Sequence, residues 1–344
     1  MSYFVKGAPF RYKGAVNVEN CKTAADVMLA AGLDWNVAKC ELVAKMPTHG
    51  MNNKQIGAFI HDDNMYRECP NAFATYRTDY NIPLGIVKER YTPVQNMEAF
   101  NFFNDAIGKD KAIWQTAGFF GNGERIFVSA KLPKNILVKG DPVENYLVFT
   151  TSHDGSSGVK ILFTPIRVIC QNTLNAAIRN ATNYVSFRHT KSVHGNLDIA
   201  AEILGICDNQ IKFLNEQYNI LRNTEISEKD AQQVFGNIIL TESELNNLKL
   251  TGHNIQQIIH RDWSAIQDSG ISMKKVNVLS EMNNYYYNGV GQREILDTKW
   301  GVYNAVTGYY SNIDNSEGTK RMDSLLYGDK SRKIELTGKL LLVA

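Results

Sequence analysis

The stretch IWQTAGFFGNGERIFVSAKL, residues 113–132, decides the fold class of this chain. Two runs with alternating apolar residues flank Gly121-Asn122-Gly123, and an Asn-Gly pair between such runs is a strong signal for a tight β-hairpin. A second hairpin is predicted directly after it, because residues 146–151 and 159–168 flank the turn-forming loop SHDGSSG at 152–158. The centre of the chain is therefore predicted to be an antiparallel sheet.

Helical patterns lie on both sides of these hairpins. Before them, the sequence predicts a helix over residues 20–31 with Thr23 as its N-cap, a strand over 84–92 and a helix over 97–107. After residue 196 it predicts a helical region, with segments at 199–222, 254–266 and 299–312 and capping boxes that begin at Ser227 and Thr241.

The predicted fold class is α+β: an antiparallel β-hairpin sheet with packed helices, followed by a mainly helical C-terminal region. We expect residues 1–195 to form the α+β core with its two β-hairpins. Residues 196–344 are expected to form the mainly helical region that packs on this core.

Composition indicates a folded protein that stays inside the cell. The chain has 344 residues, of which 44% are apolar, and a formal net charge of +2. Its five cysteines form no CxxC pair, which is typical of reduced thiols. The N-terminal residues lack the sections of a signal peptide, and no apolar run is long enough to span a bilayer. We therefore expect a cytoplasmic protein without a membrane partner.

Charge is distributed unevenly along the chain. Residues 85–195 contain thirteen basic and eight acidic side chains, and no Asp or Glu occurs between Asp154 and Asp198. A surface that faces phosphates requires such a gap, because a carboxylate there would repel the ligand. The alternative is a buried segment with little room for charge, and the sequence does not separate the two.

The segment TPIRVICQNTL, residues 164–174, lies inside this gap. Arg167 is predicted on a strand, and Asn172 or Thr173 is suited to cap a helix over residues 174–181, which carries Arg179. A helix N-terminus beside a fixed cation outlines an anion site. Alternatively, the polar residues only satisfy backbone groups at a strand-to-helix corner.

The second strand of the first hairpin offers another candidate surface. Alternation places Arg125, Phe127, Ser129 and Lys131 on one face, where cations would neutralise phosphates and the ring would stack a base. Solvated outer faces of antiparallel sheets commonly have the same composition, so this alternative also stays open.

No catalytic or metal-binding signature is found. Cys170 with His189 has the residue types of a nucleophile and its base, but a cysteine at the end of an apolar strand is more often a small core residue. The histidine pairs lack a third ligand at a recognised spacing, and GNG is a turn because no Gly-Lys-Ser/Thr follows it. We therefore predict no catalytic residues, no metal and no cofactor.

The chain resembles the phage/plasmid-like proteins of domain-of-unknown-function family 932. The resemblance covers nearly the whole chain and rests on AGLDWNV (31–37), GIVKERYTPVQNMEAF (85–100), GNGERIFVSAKLP (121–133), NYLVFTTSHDGS (145–156), TPIRVICQNTL (164–174), FRHT (187–190) and WGVYNAVTGYY (300–310). Near the N-terminus, where the family usually has a Trp-His-Gly-Leu-Gly type motif, this chain has Pro9-Phe10-Arg11-Tyr12-Lys13-Gly14. If the family histidine is chemically important, its replacement argues against catalysis here.

The resemblance implies a biological setting for the protein but no particular reaction. It places the protein among those of phages, plasmids and other mobile elements, in the DNA metabolism of a bacterial cell. By analogy of fold alone, the predicted hairpins and basic sheet face are similar to single-strand annealing proteins, which oligomerise. A homo-oligomer is therefore one expectation.

The function expected from these observations is non-catalytic binding of single-stranded DNA, as an annealing or recombination accessory factor. The predicted nucleic-acid-binding residues are Lys88, Arg90, Arg125, Phe127, Lys131, Lys160, Arg167, Arg179, Arg188, His189 and Lys191. Two alternatives remain: a protein-binding module that captures a host factor in counter-defence, and a cysteine-dependent enzyme that uses Cys170.

Overall fold

The computed structural model describes residues 15–45, 66–98, 100–101, 113–167, 172–173, 184–189, 199–314, 320, 324 and 328–343. Within these ranges, the side chains of residues 167, 172–173, 184–185, 199–208 and 343 are not described. The predicted helix over 174–181 and most of the predicted helix over 97–107 lie outside the described residues.

Eleven strands occur in the described ranges. They are β1 (Ala15–Asn17), β2 (Val37–Lys45), β3 (Tyr66–Arg77), β4 (Pro83–Val87), β5 (Ile113–Phe120), β6 (Arg125–Lys131), β7 (Ile136–Val138), β8 (Asp141–Ser152), β9 (Val159–Arg167), β10 (Asn172–Thr173) and β11 (Tyr184–Phe187).

Eight of these strands form one antiparallel sheet in the order β1-β5-β6-β8-β9-β10, with β7 paired to β8 and β11 paired to β9. Both hairpins predicted from the sequence are confirmed, since β5 pairs with β6 and β8 pairs with β9. The turn after β5 contains Gly121 and Gly123, both at positive φ, which is the conformation that tight turns take and that glycine adopts without strain.

The remaining strands form a second antiparallel sheet in the order β2-β3-β4. Beyond the end of β4, β2 and β3 continue as a two-stranded ribbon, residues 41–45 and 66–72, most of whose side chains are exposed. β4 ends at Val87, earlier than the predicted strand over 84–92, because the chain then turns and the Tyr91 amide donates to the Lys88 carbonyl at 3.0 Å.

Helices make up most of the chain after residue 198. The described helices are α1 (Ala24–Ala30), α2 (Ile199–Asn223), α3 (Glu228–Ile239), α4 (Glu242–Leu250), α5 (Ile255–Ile259), α6 (Trp263–Ser269), α7 (Met273–Asn288), α8 (Lys299–Gly308), which runs on as a π-helix over Tyr309–Ile313, and α9 (Asp329–Val343). Residues 96–98, 100 and 101 are also helical.

The predicted helix starts are confirmed where they rest on capping residues. Thr23 and Thr241 both form capping boxes, and the Ser227 hydroxyl accepts a hydrogen bond from the Asp230 amide. The helical segment predicted over 254–266 consists of two helices, α5 and α6. Arg261 has a φ of 62°, outside the helical region, and the Asp262 side chain then caps α6 as a separate helix.

The fold is α+β, as predicted, and its core is continuous. One cluster of buried apolar residues includes Val128 and Phe149 of the large sheet together with Trp300 and Val306 of α8. The Asn219 side-chain amide of α2 donates to the Leu137 carbonyl of β7 at 3.0 Å, which joins the helices to the sheet. A domain boundary near residue 195 stays a prediction. Among the described helices, none combines the length and apolar character needed to cross a bilayer.

Candidate functional site

Three of the predicted cationic residues stand together on the surface. Lys88 and Arg90 follow β4, Arg188 follows β11, and all three are exposed. They line one open groove of about 380 Å³, here called the hairpin groove, which is formed by Ile86, Val87, Lys88, Arg90, Tyr91, Gly155, Ser157, Gly158, Arg188 and His189. Two sequence regions about one hundred residues apart thus supply cations to one surface.

A second groove adjoins the first on the side of the exposed ribbon. This ribbon groove, about 760 Å³, is lined by Pro70, Asn71, Ala72, Ile86, Val87, Lys88, Glu89 and Arg90. Because both grooves share Lys88 and Arg90, the turn that carries these two residues forms a crest between them. We call residues 88–91 the crest.

The crest is held in place by a lysine from the small sheet. Lys39 Nζ donates to the carbonyl oxygens of Glu89 at 2.7 Å and Tyr91 at 3.2 Å, and it also lies 4.5 Å from the centre of the Phe73 ring. An ammonium group that bonds two carbonyls of one turn restricts the backbone of that turn. Lys88 and Arg90 therefore project from a fixed backbone, with a third positive charge close beneath them.

Tyr91 and His189 connect the crest to the large sheet. Their rings stack with centroids 4.6 Å apart and an interplanar angle of 25°. The Tyr91 hydroxyl donates to the Ser152 carbonyl at 2.8 Å, and the Thr92 amide donates to the His189 carbonyl at 3.0 Å. These contacts fix the chain at the end of β11, so Arg188 is held near the crest.

His153 occupies a buried position at the end of β8. Its ring is 0% exposed, lies 5.4 Å from the Trp35 ring, and has Nε2 at 2.9 Å from the Asn96 side-chain oxygen. The Asn96 amide group donates to the carbonyls of Leu33 at 3.0 Å and Trp35 at 3.1 Å, so its oxygen must be the acceptor. The proton of neutral His153 is therefore on Nε2.

Both histidines are neutral at pH 7 because of burial. The pKa of His153 is lowered to about 3, mainly by burial and to a lesser extent by nearby His189, while Asp154 acts in the opposite direction. Burial likewise lowers the pKa of His189 to about 4, against the raising influence of the Thr92 backbone and Asp154. His189 Nε2 lies 3.2 Å from the Thr151 hydroxyl, and among the described residues the buried Nδ1 atoms of both rings have no hydrogen-bond partner.

Two glycines allow the close packing that shapes the hairpin groove. A Cβ atom at Gly85 of β4 would lie 2.5 Å from Asp154 Cα, and one at Gly158 would overlap the Phe187 carbonyl oxygen. Any larger residue at these positions would push the loop of residues 153–158 away from β4 or β11. The width of the hairpin groove therefore depends on both glycines.

Other predicted site residues are not part of this surface. Phe127 is 0% exposed and packs against Phe120 with ring centroids 5.8 Å apart, so the prediction that it faces solvent is wrong. Arg125 is 9% exposed, with a hydrogen bond of 3.4 Å to the Ser156 hydroxyl. The physical reason is that β6 lies between β5 and β8, and side chains on both of its faces are buried.

The remaining predicted cations are engaged elsewhere or not described. Lys131 forms an ion pair with Glu144. Lys160 is half-buried and interacts within the protein. The Arg167 side chain, Arg179 and Lys191 lie outside the described residues, as does Cys170. Of the predicted site residues in the acid-free segment, only Arg188 and His189 lie on the surface that the described residues form.

Sequence reasoning missed several residues that build the site. Lys39, Tyr91, His153 and Asn96 were not predicted, and neither was Ile86, which lines both grooves. The run LGIVKERY at 84–91 contained a usable signal, because an aromatic residue follows two cations there. Glu89, the exposed acid on the crest, weakens the positive potential and was passed over as well.

Comparisons with known proteins give one match. The profile of the family described as "Domain of unknown function (DUF932)" matches residues 83–333, which include the crest, the lining of the hairpin groove and most of the helical region. No curated protein and no solved structure matches the chain. Among the described residues, no group of three or more His, Cys, Asp or Glu side chains is arranged to hold a metal ion.

Proposed function

Since the chain belongs to the DUF932 family, whose description assigns no function, we propose from geometry and charge that it binds single-stranded DNA across the crest. In this proposal the protein is a non-catalytic accessory factor in annealing or recombination. The phosphates of the strand contact Lys88, Arg90 and Arg188, and the two grooves receive the chain on either side.

The observation that carries the proposal is the set of clustered, unpaired cations. Within the described part of the chain, the side chains of Lys88, Arg90 and Arg188 form no ion pair, although the other cations predicted for the site are paired, engaged or not described. Like charges on neighbouring exposed residues repel each other, and a polyanion relieves that repulsion. His189 beneath them is buried and Tyr91 is half-buried, and these two side chains contribute shape instead of charge.

The two grooves favour a chain-like anion over a single small one. A small anion would occupy one groove, whereas Lys88 and Arg90 belong to both and Arg188 lies in the hairpin groove alone. A flexible strand with regularly spaced phosphates can pass over the crest and contact all three cations. Backbone contacts of this type carry no base sequence information, so we expect binding without sequence preference.

Binding should be measured by fluorescence anisotropy with a labelled oligothymidine of about 20 nucleotides, at about 50 mM and about 200 mM NaCl. Each phosphate contact to a single strand contributes a slope of about −0.7 to log K against log salt, so three contacts give about −2. Affinity should therefore fall by about 20-fold or more over this salt range. A variant with Lys88→Ala, Arg90→Ala and Arg188→Ala should lose that part of the salt dependence.

Lys274→Ala is the matched control, because Lys274 is an exposed cation of the helical region. It should bind as the wild type does. The proposal is wrong if the wild type shows no affinity for the strand at the lower salt concentration. It is also wrong if the triple variant keeps the wild-type affinity and slope.

A further inference from the structure

We infer that Ile86 is the surface against which a base of the bound strand rests, so that the grooves select unpaired over paired nucleic acid. The inference depends on the proposed function and adds to it a contact for the base. The sequence suggested Phe127 for this role, but that ring is buried in the sheet. Ile86 lies beside the exposed cations.

Ile86 is unusually exposed for its position. It lies in β4 between residues that are packed, yet 64% of its surface is accessible to solvent. Gly85 and Val87 approach Asp154 and Gly155 of the hairpin loop. Because side chains alternate along a strand, Ile86 projects from the face opposite to that of Val87, and it lines both grooves. A large apolar side chain there gains free energy when a ligand covers it.

The surroundings of Ile86 favour a ligand that is apolar on one side and anionic on the other. Pro70 and Ala72 extend the apolar wall of the ribbon groove, and Lys88 and Arg90 form its rim. Ile86 and Lys88 are two residues apart, which is about 7 Å in an extended chain and comparable to the size of one nucleotide. A base and its adjoining phosphate match this pairing, whereas an anion without a flat apolar group would leave Ile86 uncovered.

The same geometry excludes a base that is already paired. In a duplex the flat faces of the bases are stacked inside the helix, so none of them is free to rest on Ile86. In a single strand the bases are free to turn toward a protein surface and stack on it. Ile86 therefore adds to the affinity for unpaired strands and contributes nothing to the affinity for duplexes.

The test compares Ile86→Ala and Ile86→Trp with the wild type on three ligands of equal length: oligothymidine, an abasic strand with the same phosphates, and a duplex. Leu137→Ala, at an exposed apolar residue of β7 outside both grooves, is the matched control. Thermal unfolding of each variant checks that the fold is retained, which is expected since Ile86 and Leu137 are both exposed.

Ile86→Ala should lower the affinity for oligothymidine about fivefold, and Ile86→Trp should raise it, because an aromatic surface stacks a base more strongly. Neither variant should change the affinity for the abasic strand or the duplex. An equal change on all three ligands, or no change on oligothymidine, overturns the role of Ile86. If that happens while the triple cation variant still loses its salt dependence, the proposed function survives. Wild-type protein that binds none of the ligands overturns both.

Discussion

The two buried histidines beneath the hairpin groove should make the stability of the protein depend on pH. Both have a folded-state pKa below the ordinary histidine value of 6.5, about 3 for His153 and about 4 for His189. The unfolded chain therefore binds more protons than the folded one as the pH falls below about 6.5. Stability contributed by the neutral rings is complete above that value and is lost progressively toward pH 4 and then pH 3.

The loss of stability at pH 5 is determined mainly by protonation of the histidines in the unfolded state. At pH 5 the histidines of the unfolded chain are protonated, whereas those of the folded protein are still mainly neutral. Each histidine therefore lowers the free energy of unfolding by about 1.4 kcal/mol per pH unit over the roughly 1.5 units between pH 6.5 and pH 5. The free energy of unfolding should therefore fall by about 2 kcal/mol per histidine, or about 4 kcal/mol in total, between pH 7.5 and pH 5.

Urea denaturation of the wild type at both pH values measures this loss. His189→Gln should be less stable than the wild type at pH 7.5, but its stability should fall by about 2 kcal/mol less on acidification, because one of the two groups is gone. His260→Gln is the control, since His260 is exposed at the end of α5 and its replacement should leave the dependence unchanged. The same pH-dependent loss in His189→Gln as in the wild type would refute the reasoning.

Three further predictions concern the crest and its surroundings. Glu89→Gln should raise the affinity for single-stranded DNA about twofold in an anisotropy titration, because it removes a carboxylate that repels phosphates; unchanged affinity would place the strand elsewhere. Gly158→Ala should lower the free energy of unfolding by about 1–3 kcal/mol, because the added methyl group overlaps a backbone carbonyl, whereas Gly338→Ala, with no atom nearer than 3.7 Å, should not destabilise the protein. Lys39→Met should speed hydrogen exchange of the Tyr91 amide and weaken DNA binding, since the crest loses the donor for two of its carbonyls. Exchange at the wild-type rate would show that the turn is stable without the Lys39 hydrogen bonds.

The sheet could be predicted from the sequence because its signals are local. The alternation of apolar residues and the Asn-Gly turn lie within twenty residues, and the capping boxes at Thr23 and Thr241 span four residues each. The break between α5 and α6 was missed because it depends on one residue, Arg261, in a conformation that its type seldom adopts.

The burial of β6 was missed for a different reason. Alternation correctly divided its side chains into two faces, but burial depends on what covers each face, and that is decided by distant parts of the chain. The composition of β6 still contained a hint. Between Arg125 and Lys131 all its residues are apolar or small, which is typical of a strand buried on both faces.

The residue types of the candidate site could be predicted from the sequence, but the contacts between distant segments that bring these residues together could not. Lys88, Arg90 and Arg188 were singled out as cations, yet no local pattern shows that the residues after β4 meet those after β11. That meeting depends on the Thr92 amide and the His189 carbonyl, which are far apart in the chain, and on the stacking of Tyr91 with His189. Contacts of this kind follow from the tertiary fold.

The placement of the three cations on two sheets has a mechanical consequence. Lys88 and Arg90 extend from the small sheet and Arg188 from the large one, so their spacing is set by the angle at which the two sheets meet. Because the stack of Tyr91 on His189 and the hydrogen bond from the Thr92 amide to the His189 carbonyl join the two sheets at this point, the spacing of the three charges is held fixed. Under the proposed function, a strand whose phosphate repeat is stretched or compressed would match these charges less well than a relaxed strand.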